Sequence, residues 1–239
     1  MKSGNELTAN VDPAEAEKFD DLAARWWDAD GDSRPLHDIN GPRVAYIEAR
    51  AQLEGKTVLD VGCGGGILCE SLAGRGAEVT GIDMAAKPLE VARAHAAERN
   101  LTIAYRKITA EELVADSAAG FDVVCCLEML EHVPAPERTV AACAELCRPG
   151  GMLFFSTINR SPLAWATAIV AAEYALRLLP RGTHRYDRLI RPEELAAACR
   201  NVGLDVLDLS GLNYNPFSRT VRIGGRPRVN YLLHASRPF

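Results

Sequence analysis

Several features common in secreted and membrane proteins are missing from this 239-residue sequence. It has no run of about 18 or more uncharged apolar residues, so no segment is expected to span a bilayer. Its first residues lead into a polar segment without the apolar core of a secretory signal, which favours a cytoplasmic protein. The seven cysteines form no C-x-x-C pair, so neither a disulfide framework nor a structural zinc site is expected.

Net charge is small, but it is unevenly distributed. The whole chain carries a formal charge of −5, from 27 Lys and Arg against 32 Asp and Glu. Residues 1–159 sum to −11 and residues 160–239 to +6, and every basic residue of the second part is arginine. Such an asymmetry indicates an anionic partner, either a nucleic acid or a membrane surface.

The composition, with 48% hydrophobic and 25% charged residues, is that of a globular protein, and the length favours one domain over residues 1–239. Short apolar runs alternate with helical segments, which predicts a mostly parallel sheet covered by helices on both faces. The last two strands have no helix between them, so we expect an antiparallel pair at one edge. The predicted strands are 58–61, 78–83, 101–105, 121–127, 152–157, 204–209 and 229–235, and the predicted helices are 12–28, 42–53, 66–74, 87–98, 110–115, 136–147 and 192–202.

A glycine-rich loop follows the first predicted strand, in the sequence VLDVGCGGG at residues 58–66. Glycines at the carboxyl end of a parallel strand let the backbone approach a ligand closely. Asp83 ends the next strand, 21 residues after Gly62, where a carboxylate can accept both hydroxyls of a ribose. These features indicate a cofactor that contains adenosine.

The details of the loop favour S-adenosylmethionine over a dinucleotide. A dinucleotide fingerprint needs a third glycine three positions after Gly64, and that position holds Ile67. Asp60 precedes the loop, where a carboxylate would repel a pyrophosphate but attract a sulfonium or an amino group. A nicotinamide-dependent oxidoreductase is therefore the weaker alternative.

With these motifs the sequence resembles the class I S-adenosylmethionine-dependent methyltransferases, and specifically the ubiquinone biosynthesis O-methyltransferase family. The resemblance covers nearly the whole chain. It implies a Rossmann-like fold with a seven-stranded, mostly parallel sheet and an antiparallel edge strand. The segments that carry it are Arg25-Trp26-Trp27-Asp28, Pro35-Leu36-His37, Ile39-Asn40, VLDVGCGGGIL, Gly81-Ile82-Asp83-Met84, Glu128-Met129-Leu130-Glu131-His132-Val133, Phe154-Phe155-Ser156-Thr157, Gly182-Thr183-His184 and Asn213-Tyr214-Asn215-Pro216.

The resemblance also implies the substrates and most of the cofactor contacts. The family methylates catechol-type hydroxyls of polyprenylated rings, both 2-polyprenyl-6-hydroxyphenol and 3-demethylubiquinol, and another small aromatic acceptor is the alternative. Other proteins of ubiquinone biosynthesis are candidate partners. By this likeness Arg43, Gly62, Asp83 and Leu127 contact the cofactor, and the loop geometry adds Asp60 and Gly64.

Glu128, Glu131 and His132 follow the fourth strand and are the candidates for the chemistry. A phenol with a pKa of about 10 must lose its proton to accept a methyl group. His132 could act as general base with Glu131 beside it. Alternatively all three side chains could bind Mg²⁺ or another divalent cation, as metal-dependent members of the family imply. A third possibility is that Glu131 and His132 only cap the turn after the strand and take no part in the chemistry.

Four aromatic residues are weaker candidates. Trp26 and Trp27 could close over the cofactor or belong to the core. His37 and His184 lie in segments that could cover the acceptor site, although each is more often a structural histidine.

An N-terminal helical cap (residues 1–55) and a helical insertion (residues 161–191) complete the organisation. The insertion begins with an apolar stripe that includes Trp165 and ends in an arginine cluster at 181–191. This pattern favours contact with an anionic membrane surface, and we expect a peripheral protein on the cytoplasmic face of the inner membrane. No nucleic acid is expected, because the aromatic-basic alternation of a single-strand platform and any base-flipping motif are missing.

Overall fold

The computed structural model describes residues 10–116, 120–167 and 185–239. Its helices are α1 (Pro13–Leu22), α2 (Arg34–Ala51), α3 (Ile67–Ala73), α4 (Ala86–Glu98), α5 (Ala110–Asp116), α6 (Pro136–Leu146), the single turn α7 (Pro162–Ala164) and α8 (Pro192–Asn201). Its strands are β1 (Thr57–Val61), β2 (Glu78–Asp83), β3 (Ala104–Lys107), β4 (Phe121–Leu127), β5 (Cys147–Ile158), β6 (Asp205–Asn215), β7 (Thr220–Ile223) and β8 (Asn230–Ser236).

All eight described strands lie in one sheet, in the order β3-β2-β1-β4-β5-β8-β6-β7. The pairs among β1 to β5 are parallel, and β8 runs antiparallel to both of its neighbours. The predicted α/β class and mostly parallel sheet are therefore confirmed.

Two details of the sheet differ from the prediction. The sheet has eight described strands instead of seven, because Thr220–Ile223 pairs antiparallel with β6 and forms the edge. The last predicted strand, β8, does pair antiparallel with β6, but it lies between β5 and β6 and not at an edge. Its side chains explain this position, since Tyr231, Leu232 and Leu233 are fully buried and need cover on both faces.

Helices cover both faces of the sheet, and the sheet separates the hydrophobic core into two parts. Alternate residues of β4 point to opposite sides, so Val123 and Cys125 pack with α2, α3 and α4. Val124 and Cys126 pack with α5, α6 and α8 on the other face. The seven cysteines are all buried and free.

The parallel arrangement collects the functional segments at one edge. Gly62 follows β1, Asp83 ends β2 and Glu128 follows β4, all at carboxyl ends of neighbouring strands. Because β8 is antiparallel, its first residue, Asn230, also lies at this edge and pairs with Ile158 at the end of β5. A ligand in the crevice outside these strand ends would meet all of them.

Candidate active site

A cavity of about 610 Å³ opens at this edge of the sheet. The glycine loop, Asp60 and Asp83 contribute polar groups to its wall, and Leu36, Leu212 and Phe217 contribute apolar surface. Such a volume is within the range of small-molecule sites. Its wall combines polar groups with apolar surface.

The glycines of the loop are required by its geometry. Gly62 and Gly64 have φ angles of +76° and +51°, a region that L side chains avoid. A Cβ at position 62 would overlap Met129, and one at position 64 would overlap the ring of Trp26. The loop backbone therefore packs directly against Met129 and Trp26, which both line the cavity.

Asp83 holds the loop in place. One carboxylate oxygen accepts a hydrogen bond from the backbone N–H of Gly64, and the other accepts one from Ala85, each at 2.8 Å. Burial raises the pKa of Asp83, and the backbone hydrogen bonds oppose this rise. A carboxylate has about four lone-pair sites, so Asp83 keeps the capacity to accept a further hydrogen bond from a ligand.

Asp60 and Arg43 place opposite charges in the wall of the cavity. Asp60 is 3% exposed and Arg43 is 4% exposed. Burial raises the pKa of Asp60 to about 6, against the lowering effects of a hydrogen bond from Cys69 and the charge of Arg43. The Nε of Arg43 is buried without a hydrogen-bond partner among the described residues, as expected of a donor that faces a ligand.

Leu127 ends β4, Glu128 follows it, and both line the cavity. Glu128 has a φ angle of +54°, which is uncommon for a residue other than glycine and often marks a functional site. Ser156 Oγ donates to one carboxylate oxygen at 2.7 Å, and Asn230 Nδ2 donates to the other at 2.9 Å. Neighbouring strands therefore fix the Glu128 carboxylate at the cavity wall.

Glu131 and His132 point in different directions. Glu131 is 4% exposed, accepts a 2.7 Å hydrogen bond from Thr157 Oγ1 and does not line the cavity. His132 does line it, and its Nδ1 lies 2.8 Å from Oε2 of Glu15. Of the two predicted catalytic residues, only His132 can reach a ligand in this cavity.

The three predicted metal ligands do not converge. Glu128 is held by Ser156 and Asn230, Glu131 by Thr157, and His132 by Glu15. Within the described ranges no group of three or more His, Cys, Asp or Glu side chains could hold a metal ion. The side chains as arranged do not fit a shared divalent cation.

Glu15 was not predicted as a site residue. Burial alone would raise its pKa, but hydrogen bonds from His132 and Lys18 lower it to about 2. The ionised carboxylate can only accept, so Nδ1 of His132 must carry the proton of this hydrogen bond. One sequence signal could have found the residue, because Glu15 lies one helical turn before Phe19 on the otherwise apolar stripe of α1.

The two tryptophans contact the glycine loop. The ring of Trp26 is buried against Gly64 and Gly65 and lines the cavity. Trp27 Nε1 donates to the carbonyl oxygen of Gly65 at 2.9 Å, and His37 Nε2 lies 3.0 Å from the carbonyl oxygen of Trp26. His184, the other histidine considered, lies outside the described residues.

Comparison with known proteins gives the class first. A family model described as a methyltransferase domain matches residues 37–209. The solved structure of magnesium protoporphyrin IX methyltransferase from Synechocystis, with bound S-adenosylmethionine, matches with a TM-score of 0.64 at 20% identity, over 96% of this chain and 99% of that one. Fold and site together define an S-adenosylmethionine-dependent methyltransferase of class I, which confirms the predicted fold and cofactor.

Two relatives then identify the family. Proteins named ubiquinone biosynthesis O-methyltransferase from Saccharophagus degradans and Hahella chejuensis are 55% and 54% identical to this chain. The alignments cover 95% and 96% of this chain and 97% of each relative. The chain belongs to the ubiquinone biosynthesis O-methyltransferase family. This membership confirms the predicted resemblance and enzyme class, and it decides against the nicotinamide-dependent alternative.

Proposed function

We propose that the protein methylates catechol-type hydroxyls of polyprenylated ubiquinone precursors, namely 2-polyprenyl-6-hydroxyphenol and 3-demethylubiquinol. The names of its relatives support the substrate class. The apolar residues that line the cavity, among them Leu36, Leu212 and Phe217, suit a prenylated ring. The observation that carries the proposal is His132, a histidine in the cavity wall whose ring is fixed by an ionised carboxylate.

The cofactor would lie against the glycine loop, where it supplies a methyl group made electrophilic by a positively charged sulfur. Arg43 is the candidate for its carboxylate, and Asp83 for its ribose hydroxyls. Asp60 would face its cationic groups. Gly62 and Gly64 admit the backbone contact, and Leu127 offers an apolar contact to the adenine.

His132 is the proposed general base. With Nδ1 donating to Glu15, the neutral imidazole carries its basic lone pair on Nε2. A base that takes the phenolic proton as the oxygen attacks the methyl group contributes about 10²- to 10⁴-fold in rate. Glu131, held by Thr157, would act only through the turn it shares with His132.

Methylation of two short-chain acceptors, a prenyl-catechol and a demethylubiquinol, tests the substrate proposal. We expect turnover of both, with kcat reduced about 10²-fold or more in a His132→Ala variant. Turnover of an unprenylated aromatic acceptor but of neither prenylated ring would contradict the substrate class. Wild-type turnover by the His132→Ala variant would contradict the base.

Contact with an anionic membrane surface is the proposed route of the substrate. Leu163, Trp165 and Phe217 are 46%, 50% and 81% exposed, and Phe217 also lines the cavity. Exposed apolar side chains, one of them in the cavity wall, suit a substrate that resides in lipid. The apolar stripe predicted beyond Trp165 falls mostly at 168–184, outside the described residues.

The described part of the arginine cluster is partly engaged within the protein. Arg188 forms a 2.6 Å ion pair with Asp12, and Arg185 pairs with Asp187. No helix in the described ranges is both long enough and apolar enough to cross a membrane. The proposal is therefore peripheral contact, on the cytoplasmic face of the inner membrane, where other proteins of ubiquinone biosynthesis are candidate partners.

Flotation with vesicles that contain anionic lipid tests this surface. We expect a Leu163→Glu/Trp165→Glu double variant to lose most of its vesicle binding. Leu207→Glu is the matched control. Leu207 is 56% exposed and lies near the start of β6, whereas Phe217 follows the end of that strand. Equal flotation of the double variant and the wild type would contradict the proposed surface.

A further inference from the structure

Trp27 lies at the junction of three segments that surround the cofactor site. Its indole N–H donates to the carbonyl oxygen of Gly65 in the glycine loop. Its ring stacks on the imidazole of His95, with centroids 3.5 Å apart and an angle of 8° between the planes. The edge of His37 from α2 approaches the same ring at 5.7 Å. One side chain therefore contacts the cap, the loop and α4.

Both histidines are themselves held in place. Nδ1 of His95 lies 2.7 Å from a carboxylate oxygen of Glu70, whose side chain is 4% exposed. Glu70 belongs to α3, the helix that begins directly after the glycine loop. His37 Nε2 lies 3.0 Å from the carbonyl oxygen of Trp26. The ring of Trp27 thus rests against groups with fixed positions.

The neighbouring tryptophan connects this arrangement to the cavity. Trp26 is 6% exposed, lines the cavity and covers Gly64 and Gly65. A shift of Trp27 would move both the peptide that carries Trp26 and the carbonyl group of Gly65. The position of the cap and the shape of the cofactor site are therefore mechanically linked through Trp27.

We propose that Trp27 is a positioning residue for cofactor binding, which latches the N-terminal cap onto the glycine loop. The inference rests on the methyltransferase function and adds a residue to it. Trp27 acts through Gly65 and Trp26, so its replacement should weaken cofactor binding without slowing methyl transfer once the cofactor is bound. A side chain that only stabilised the fold would not produce this division between KM and kcat.

Titration calorimetry with S-adenosylhomocysteine tests the latch in a Trp27→Phe variant. This change keeps an aromatic ring for His95 but removes the N–H that Gly65 accepts. Loss of one such hydrogen bond should weaken binding about fivefold. We expect the KM for S-adenosylmethionine to rise by a similar factor while kcat at saturating cofactor stays unchanged. Leu207→Ala is the control, and it should bind the cofactor with wild-type affinity because Leu207 is 56% exposed and does not line the cavity.

A measurement on the wild type keeps the test independent of how the variants fold. If the cap is latched to the loop, S-adenosylhomocysteine should increase amide-exchange protection in residues 23–37 as well as in residues 62–66. Protection confined to the loop, or wild-type affinity in the Trp27→Phe variant, would overturn the inference. Failure of the wild type to methylate either prenylated acceptor would instead overturn the proposed substrates and leave the binding result standing.

Discussion

Oε2 of Glu15 and Nδ1 of His132 lie 2.8 Å apart, although 117 positions separate the two residues in the sequence. The contact joins α1 of the cap to the turn after β4. The ring of Phe19 meets the His132 ring edge to face at 5.0 Å, so the imidazole is oriented from two directions. In catalytic triads a carboxylate fixes one imidazole nitrogen in this way while the other nitrogen acts as the base, which is the role proposed for His132.

Replacement of Glu15 by Gln should slow methyl transfer. The amide has nearly the same shape but no charge to stabilise the imidazolium that forms, so we expect kcat to fall about ten- to hundredfold. The KM for S-adenosylmethionine should change little, because Glu15 contacts His132 and not the glycine loop. Steady-state kinetics with varied S-adenosylmethionine, extended to saturating cofactor, would measure both kcat and this KM.

Glu17→Gln is the matched control, since Glu17 is exposed on the same helix. It should retain wild-type kcat. Wild-type kcat in the Glu15→Gln variant would show that Glu15 does not contribute to methyl transfer.

The glycine loop, Asp83 and Glu128 could be placed from the sequence because each directly ends or follows a short apolar strand. Parallel strands bring such ends to one edge, so spacing along the chain was enough to bring these residues together. The same argument placed His132 near the cavity, since it follows Glu128 by only four positions.

Other parts of the site depend on contacts that no local pattern encodes. Glu15 meets His132 only after α1 packs across the strand ends, and Asn230 reaches Glu128 only because β8 enters between β5 and β6. The strand β7 was missed because its four residues, Thr220–Ile223, include Arg222 and lack a buried side chain. The sequence predicts a helix from Pro42, whereas α2 begins eight residues earlier and contains that proline in its interior.

Chelation offers a direct test of the route without a shared metal ion. Because Glu128, Glu131 and His132 each have different partners, we expect the rate of methyl transfer to be unchanged in excess EDTA. Added Mg²⁺ or Zn²⁺ should not increase it. Loss of activity on chelation, with recovery on Mg²⁺ addition, would show that the three side chains rearrange around a cation as the family resemblance implies.

The affinity for S-adenosylmethionine should depend on the ionisation of Asp60. Burial raises the pKa of this carboxyl from 3.8 to about 6. In the protein without cofactor, the contribution of Asp60 to the unfolding free energy therefore decreases as the pH rises across that interval. The bound cation favours the ionised form, and binding should therefore strengthen as the pH rises through 6. If the cation lowers the pKa of Asp60 by about one unit, the gain is about tenfold.

Calorimetric titrations from pH 5 to pH 7.5 would measure this dependence. S-Adenosylhomocysteine lacks the sulfonium charge and should show a smaller change than S-adenosylmethionine. In an Asp60→Asn variant the ratio of the two affinities should become independent of pH. A ratio that still rises through pH 6 in that variant would assign the effect to another group.

Two glycines offer opposite predictions for the same substitution. Gly65→Ala would force a Cβ into the ring of Trp26, and overpacking of this kind costs about 1–3 kcal/mol of unfolding free energy. Because Trp26 also lines the cavity, cofactor affinity should fall in parallel.

Gly41 lies exposed within α2, where a Cβ would meet nothing within 4 Å. Gly41→Ala should therefore raise the unfolding free energy by about 0.5–1 kcal/mol through helix propensity alone and leave cofactor affinity unchanged. Urea unfolding and cofactor titration of both variants would check this contrast, and a Gly65→Ala variant as stable as the wild type would mean that Trp26 can move away from the loop.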